Sequence, residues 1–433
     1  MSQQLPVFFE TRLVGQIEIS EKGTSFVYDA GWLGLRGAFP VSVTMPLRKE
    51  AFGPEILLPW ASNLLPESQG LQALSQMLGR SPADIIGILS QVGRDTAGAL
   101  SIGRAGTSIV TDRWRVVETT KDLERIIDEL PNKPFLAGED GVSMSLAGAQ
   151  TKLAVAWDGN HVYIPVDGAP STHILKPDAE RLWGGVQNEA FCLTLARRIG
   201  LQVPQVTTGI AGKRHYLLVE RYDRRHVEGR WRRLHQEDFC QALGKPPEAK
   251  YQSNHAGIAG PSLKDMFGVT RAHMSIDDTS RLLDMVITNV ICCNTDAHAK
   301  NYSLLINAGG FTMAPLYDVM CAEVFENVTK NMAQKIAGKT RGDHLRGRHW
   351  QRFAIECALD PNGVLRRVER LTTAVIAEAD NAMKEVEAMP GGGHAMLDQV
   401  RQAVVRRADH LKQQLAELEP EPTEDSEPST LRP

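Results

Sequence analysis

The sequence has no cysteine before Cys192, and its six cysteines never form a C-x-x-C pair. That spacing argues against a disulfide framework and a zinc ribbon, and predicts buried free thiols in a reducing compartment. No apolar run reaches the length of a membrane span; the apolar helical stretch 282–293 carries Asp284 and Asn289. The opening MSQQLPVFFETRLVG lacks a basic segment leading into a long apolar run, so no secretory signal is expected. Charge of one sign is not in excess: a net charge of −4 gives no global attraction to nucleic acid or an anionic membrane. Neither G-x-G-x-x-G nor G-x-x-x-x-G-K-[ST] occurs, which removes two glycine-loop signatures for phosphates. A soluble cytoplasmic chain is the expectation.

What is present is organised around residues 289–318, NVICCNTDAHAKNYSLLINAGGFTMAPLYD. The pattern predicts the end of an apolar helix, then a polar loop with Asp296, His298, Lys300 and Asn301. A hairpin about Gly309-Gly310 follows, and then Asp318. An Asp, an Asn five residues on, and a further Asp beyond a hairpin is the order in which protein kinases hold their base and metal ligands. Phosphoryl transfer needs one carboxylate near the attacking hydroxyl, and an amide oxygen plus a second carboxylate on Mg²⁺. Alone, D-x4-N is equally a helix C-terminus and a turn.

A chain of 433 residues suggests two to three domains. Residues 1–105 read as a small α+β unit: a hairpin about Gly15, strands in TSFVYDAGWL and VSVTMPL, and a helix capped by Ser81 with Pro82 at its first position. Asn63, Glu67, Arg94 and Asp95 read as capping or pairing groups. Residues 106–140 form a mixed connection with a strand-like RWRVVET and a helix KDLERIIDEL. Next come Ala147-Gly148-Ala149-Gln150-Thr151-Lys152 and a hairpin turning at Asp158-Gly159-Asn160. Small residues let backbone N–H groups approach phosphate oxygens, and Lys152 adds charge. By itself the loop reads better as a glycine turn entering a strand.

The short strand THILK ends in Lys176, and NEAFCLTLARRIG is an amphipathic helix starting near Asn188. Glu189 reads as a first-turn acid facing the helix dipole, or as a partner for Lys176; position favours the former. A hairpin about Gly212 runs into Glu220-Arg221-Tyr222, and HQEDFCQALG reads as a helix. Beyond Asp318 the chain is mainly helical, with a local basic run from Lys335 to Arg352. Such a run is a solvated helix face or a nucleic-acid contact. Two helices flank Pro390-Gly391-Gly392-Gly393, and the acidic, Pro-rich tail 419–433 reads as disordered.

Glycine loop, strand lysine, helix glutamate, crossing strand, Asp-x4-Asn and Asp occur in one order, far less expected by chance than any member. The stretches NLLPES, VGRDTAGAL, SLAGAQTK, THILK, NEAFCLTLARRIGLQVP, VERYDRR, QEDFCQALG, KYQSN, NTDAHAKNYS and LYDV resemble the HipA family of serine/threonine-protein kinase toxins. The resemblance implies an α+β, bilobal protein-kinase-like fold: a small N-terminal subdomain (1–105), a connecting segment (106–140), an N-lobe (141–233) and an all-α C-terminal lobe (234–418).

It also implies ATP and Mg²⁺ as cofactors, and Asp296 as catalytic base. Asn301 and Asp318 become metal ligands, Lys176 the ATP-phosphate lysine, and Ala147 to Lys152 the phosphate loop. Glu220, Arg221 and Tyr222 become the adenine hinge, with His298, Lys300 and Tyr317 in the nucleotide-site motifs. Ser145 matches an autophosphorylated serine; about two added negative charges there would expel the phosphate loop. Arg346 and Arg348 fall where the family's kinase touches operator DNA. Implied partners are a HipB-like helix-turn-helix antitoxin and a protein substrate, an aminoacyl-tRNA synthetase, whose phosphorylation arrests growth. Two departures stand out: PDAERLWGGVQ is short for the family's activation loop, and Ala297 replaces a common Gly. A kinase-fold corepressor without transferase activity and a metal-dependent nuclease using Asp296, His298 and Asp318 are the rival readings.

Overall fold

A computed structural model of the chain describes residues 3–21, 23–105, 113–179 and 182–415. The tail expected to be disordered lies outside the described residues, as do 180–181 of PDAERLWGGVQ.

The first subdomain is an antiparallel sheet ordered Gly23–Tyr28, Arg12–Ser20, Gln3–Phe9 and Leu100–Ile102. The first hairpin turns at Glu10 and Thr11, not about Gly15, which pairs with Val7 in mid-strand. Glycine is required there for a different reason: a Cβ would sit 2.6 Å from the Phe26 ring. VSVTMPL forms no strand beyond a single Ser42–Met45 bridge. Its backbone is bonded to side chains instead, with the Val41 N–H on the Tyr28 hydroxyl and the Val43 N–H on Glu237. The helix expected from Ser81 begins later, at Ile85, where the Asp84 carboxylate accepts the Gly87 N–H.

The second unit is a six-stranded antiparallel sheet ordered Trp114–Val116, Val162–Pro165, Leu153–Trp157, His173–Pro177, Arg214–Glu220 and Val206–Ala211. Asp158 closes the Asp-Gly-Asn turn by accepting the N–H groups of Asn160 and His161, both at 2.8 Å. Trp114–Val116, from the expected connecting segment, is an edge strand of this sheet. Helix Gly185–Arg198 packs against the far edge and presents Glu189 inward.

The rest is mainly helical, as expected, with helices Leu263–His273, Ile276–Ile291, Gly347–Glu356, Pro361–Glu387 and Met396–Gln414. It is not all-α. His235–Asp238, Ser303–Asn307 and Gly310–Met313 form one sheet, and Asn331–Ile336 pairs with Lys339–Arg341. HQED is therefore strand rather than helix: the His235 ring and Glu237 bond Val41 and Val43 of the first subdomain. The helix starts only at Phe239, with Asp238 and Gln241 as a reciprocal cap. The basic run likewise begins as a hairpin before it becomes helix Gly347–Glu356. The first subdomain and the C-lobe share one apolar core, while the six-stranded sheet has its own. The six cysteines are buried free thiols, as expected, and no helix among the described residues is long and apolar enough to cross a membrane.

Candidate active site

A cavity of ≈ 660 Å³ opens between the six-stranded sheet and the helical lobe. Lys176, Glu220, Tyr222, Asp296, Asn301 and Asp318 all line it. A smaller surface depression of ≈ 410 Å³ is walled only by polar side chains around helix Thr120–Glu129, and no chemistry converges on it.

Lys176 sits at the centre. Its ammonium is 2.6 Å from Glu189 Oε1 and 2.6 Å from Asp318 Oδ1. Glu189 is therefore a partner of the strand lysine. The helix-dipole role favoured from position fails because the helix begins at Gly185, which puts Glu189 beyond its first turn. Burial disfavours the charge on Lys176, but Asp318 and Glu189 outweigh it and hold the ammonium protonated. Burial also pushes the Asp318 carboxyl up, and Lys176 with Lys152 more than reverses this, so Asp318 stays ionised. Glu189 moves upward, because burial exceeds what Lys176 returns. Asp318 holds a left-handed backbone, φ 59°, which is uncommon outside glycine and found at functional sites.

The loop after helix Ile276–Ile291 places the other groups. The Asn301 side-chain N–H donates to the Asp296 carbonyl at 2.8 Å, which leaves its amide oxygen as an acceptor. The Asp296 side chain is 62% exposed to the cleft. Partial desolvation by the walls nonetheless raises its pKa, with the Tyr251 hydroxyl opposing. That hydroxyl donates to Asp296 Oδ1 at 2.5 Å. His298 is buried and neutral: burial, then the Lys250 charge, pushes its pKa well down.

Lys300 lines the cavity, but its ammonium points elsewhere, to Asn63 Oδ1 at 2.6 Å and Asp238 at 3.2 Å. The 147–152 loop borders the cavity, with Gly148 at φ 101°; a Cβ there would also press to 2.9 Å from the Lys152 ammonium. Lys152 donates to the Ala147 carbonyl, and desolvation brings its pKa down to about 8. Ala147, Ala149 and Gln150 line the cavity and Thr151 does not. At the other end the Tyr222 ring stacks on Tyr317, centroids 5.6 Å apart.

Only the backbone of Arg221 is a candidate for the adenine edge. Its guanidinium is committed to Asp223, Ser171 and the Thr96 carbonyl. Arg221 joins Arg224 and Arg233 around the buried Asp95, the pairing role expected for Asp95. Ser145 is fully buried two residues before the 147–152 loop, its hydroxyl donating to the Leu64 carbonyl at 2.9 Å. Arg346 and Arg348 lie at the start of helix Gly347–Glu356, outside the cavity wall.

Sequence reasoning missed Tyr251 on Asp296, the Lys250–Glu67 ion pair at 2.6 Å, and the fastening of Lys300 to Asn63. All three link segments with no local spacing in common. The reciprocal cap at Asp238 and Gln241 was a readable signal for where the helix starts.

Comparison with known proteins identifies the family and the fold. Residues 5–103 match the HipA N-terminal domain and residues 144–380 the HipA-like C-terminal domain. The chain is 38% identical over 384 residues to Y4mE of Sinorhizobium fredii, covering 87% of this chain and 90% of that one. It is 29% identical over 339 residues to the serine/threonine-protein kinase toxin HipA of Shewanella oneidensis, covering 75% and 76%. A solved structure of the Shewanella oneidensis HipA, HipB and operator DNA complex matches with a TM-score of 0.83 at 23% identity, over 95% of this chain and 98% of that one. That likeness identifies the bilobal, kinase-like fold. Matched across both of its parts, the chain belongs to the HipA family.

Proposed function

We propose that the chain is a HipA-type serine/threonine-protein kinase that transfers phosphate from ATP with Mg²⁺. The observation that carries the reading is Lys176, 2.6 Å from both Glu189 and Asp318, in the cavity that also holds Asp296 and Asn301. This is the lysine–glutamate pair and metal-binding acid that protein kinases need in place together.

The donor set suits a hard cation. Asp318 is ionised, and Asn301 keeps an amide oxygen free of its own hydrogen bond to Asp296. When bound, Mg²⁺ would neutralise charge on the phosphates. Lys176 and Lys152 add positive charge on the same wall. Asp296 accepts the proton of the acceptor hydroxyl as that oxygen bonds to the γ-phosphorus and the bond to the ADP oxygen breaks. The Tyr222–Tyr317 stack and the backbone from Glu220 to Tyr222 offer a flat site and polar edges for adenine.

Family membership, and the HipA, HipB and operator DNA complex of Shewanella oneidensis, support the wider reading. The kinase would pair with a HipB-like antitoxin, repress its operon through that complex, with Arg346 and Arg348 near the DNA, and phosphorylate an aminoacyl-tRNA synthetase in the cytoplasm to arrest growth. Autophosphorylation at Ser145 would require this buried hydroxyl to become exposed.

The test is ³²P transfer from ATP into a cell lysate by the wild type and by Asp296→Gln. Labelling that falls by several orders of magnitude in the variant supports the base assignment. Equal labelling defeats it. Nucleotide binding with no transfer to any protein would favour the corepressor.

A further inference from the structure

The backbone of Asp296 is held by its own loop. Its N–H donates to Asn294 Oδ1 at 3.1 Å, and its carbonyl accepts from Asn301 and from the His298 N–H. None of these contacts orients the carboxylate. His298 Nε2 lies 4.0 Å from Oδ1, beyond hydrogen-bond reach. Among the described residues, the hydrogen bond to that carboxylate comes from the Tyr251 hydroxyl.

Tyr251 is itself fixed from several directions. Its ring stands edge-on to His298, centroids 5.1 Å apart at 85°. Before it, the Lys250 ammonium is 2.6 Å from Glu67 Oε2, and the Lys250 carbonyl accepts the Ala299 N–H of the catalytic loop at 3.2 Å. After it, Gln252 gives its N–H to the Ala333 carbonyl and takes the Lys335 N–H on its side-chain oxygen at 2.7 Å. Three consecutive residues thus bind the first subdomain, the catalytic loop and strand Asn331–Ile336, and the central one is aimed at the base. Glu67 also donates its backbone N–H to the Gly148 carbonyl at 3.1 Å, so the same anchor reaches the phosphate loop.

We infer that Tyr251 is a positioning residue for Asp296: its hydroxyl holds Oδ1, fixes the carboxylate plane, and leaves Oδ2 to receive the acceptor hydroxyl's proton. The inference rests on the kinase reading of Asp296. A carboxylate turns freely about its last torsion, and an exposed one has no packing to stop it. A base that rotates away from the acceptor loses the alignment on which its rate depends. The phenol suits the task because burial, then the Asp296 charge, holds its pKa above the usual range; it therefore remains a donor. Tyr251 keeps its proton throughout the transfer.

The experiment compares wild type with Tyr251→Phe, which removes one oxygen and keeps the ring against His298. Initial rates of ³²P transfer at saturating ATP are read beside the dissociation constant for a fluorescent ATP analogue and the melting temperature. A rate lower by about tenfold or more, at nucleotide affinity within about twofold and unchanged melting, is the expected result. An unchanged rate overturns the inference. A rate and an affinity that fall together also overturn it, because they indicate a merely structural tyrosine. Phosphate found on Tyr251 of the wild type by mass spectrometry overturns it too, since the phenol would then be an acceptor. A wild type that binds the analogue and transfers nothing removes the kinase reading itself, and this inference with it.

Discussion

The Lys300 ammonium donates to the Asn63 side-chain oxygen over 2.6 Å, fastening the loop that carries Asp296 to the first subdomain across 237 residues of sequence. Asp238 at 3.2 Å and Glu67 at 3.8 Å complete its surroundings, and the lysine side chain is 3% exposed. The cation is therefore enclosed by the fold rather than offered to a ligand. Lys300→Met strands the buried Asp238 carboxylate and the Asn63 amide oxygen, while Glu67 keeps the Lys250 ammonium at 2.6 Å. Removing one partner of a buried ion pair costs about 3–5 kcal/mol. Urea unfolding should show a loss of that size for Lys300→Met and a smaller one for Asn63→Ala. A Lys300→Met protein as stable as wild type would return this lysine to the nucleotide.

Ser145 gives a second expectation. Its hydroxyl is fully buried, one hydrogen bond from the Leu64 carbonyl, and its N–H is bonded to the Asp95 carbonyl. Ser145→Ala removes one neutral donor and should cost about 1 kcal/mol, leaving nucleotide affinity near that of wild type. Ser145→Asp places a carboxylate where there is no water, an expense that opening the loop relieves. Rapid protease cleavage within 147–152 and loss of nucleotide binding are expected for Ser145→Asp alone. Equal cleavage of the two variants would count against a phosphate-driven opening.

The sequence order of the site was readable because each piece carries a local pattern: an apolar strand ending in Lys176, a polar loop from Asp296 to Asn301, a hairpin before Asp318. The role of Glu189 was not. Its pairing depends on how helix Gly185–Arg198 packs beside the sheet, which no short spacing encodes. The same holds for Tyr251 with Asp296, 45 residues apart, and for the arginines gathered around Asp95. HQED misled for a related reason. Its apolar periodicity is too short to separate strand from helix, and the decision came from pairing with Ser303–Asn307. Gly15 was misread because a glycine inside a strand often marks a close approach rather than a turn, here to the Phe26 ring.

Lys152 sets a pH window. Desolvation brings its pKa down to about 8, against 10.5 in a free side chain. The charged form is penalised by burial, so the ammonium is neutral in the unliganded protein once pH rises well above 8. Bound phosphates favour the protonated form. Binding above that pKa must therefore take up a proton, and affinity falls by at most about tenfold per pH unit. The dissociation constant for an ATP analogue should rise between about pH 7 and 9 more steeply in wild type than in Lys152→Arg, whose guanidinium stays charged. Lys152→Met should bind more weakly at every pH and follow the shallower slope of the Arg variant. Parallel curves for wild type and Lys152→Arg would show that Lys152 does not face the phosphates, and would leave Lys176 as the lysine that does.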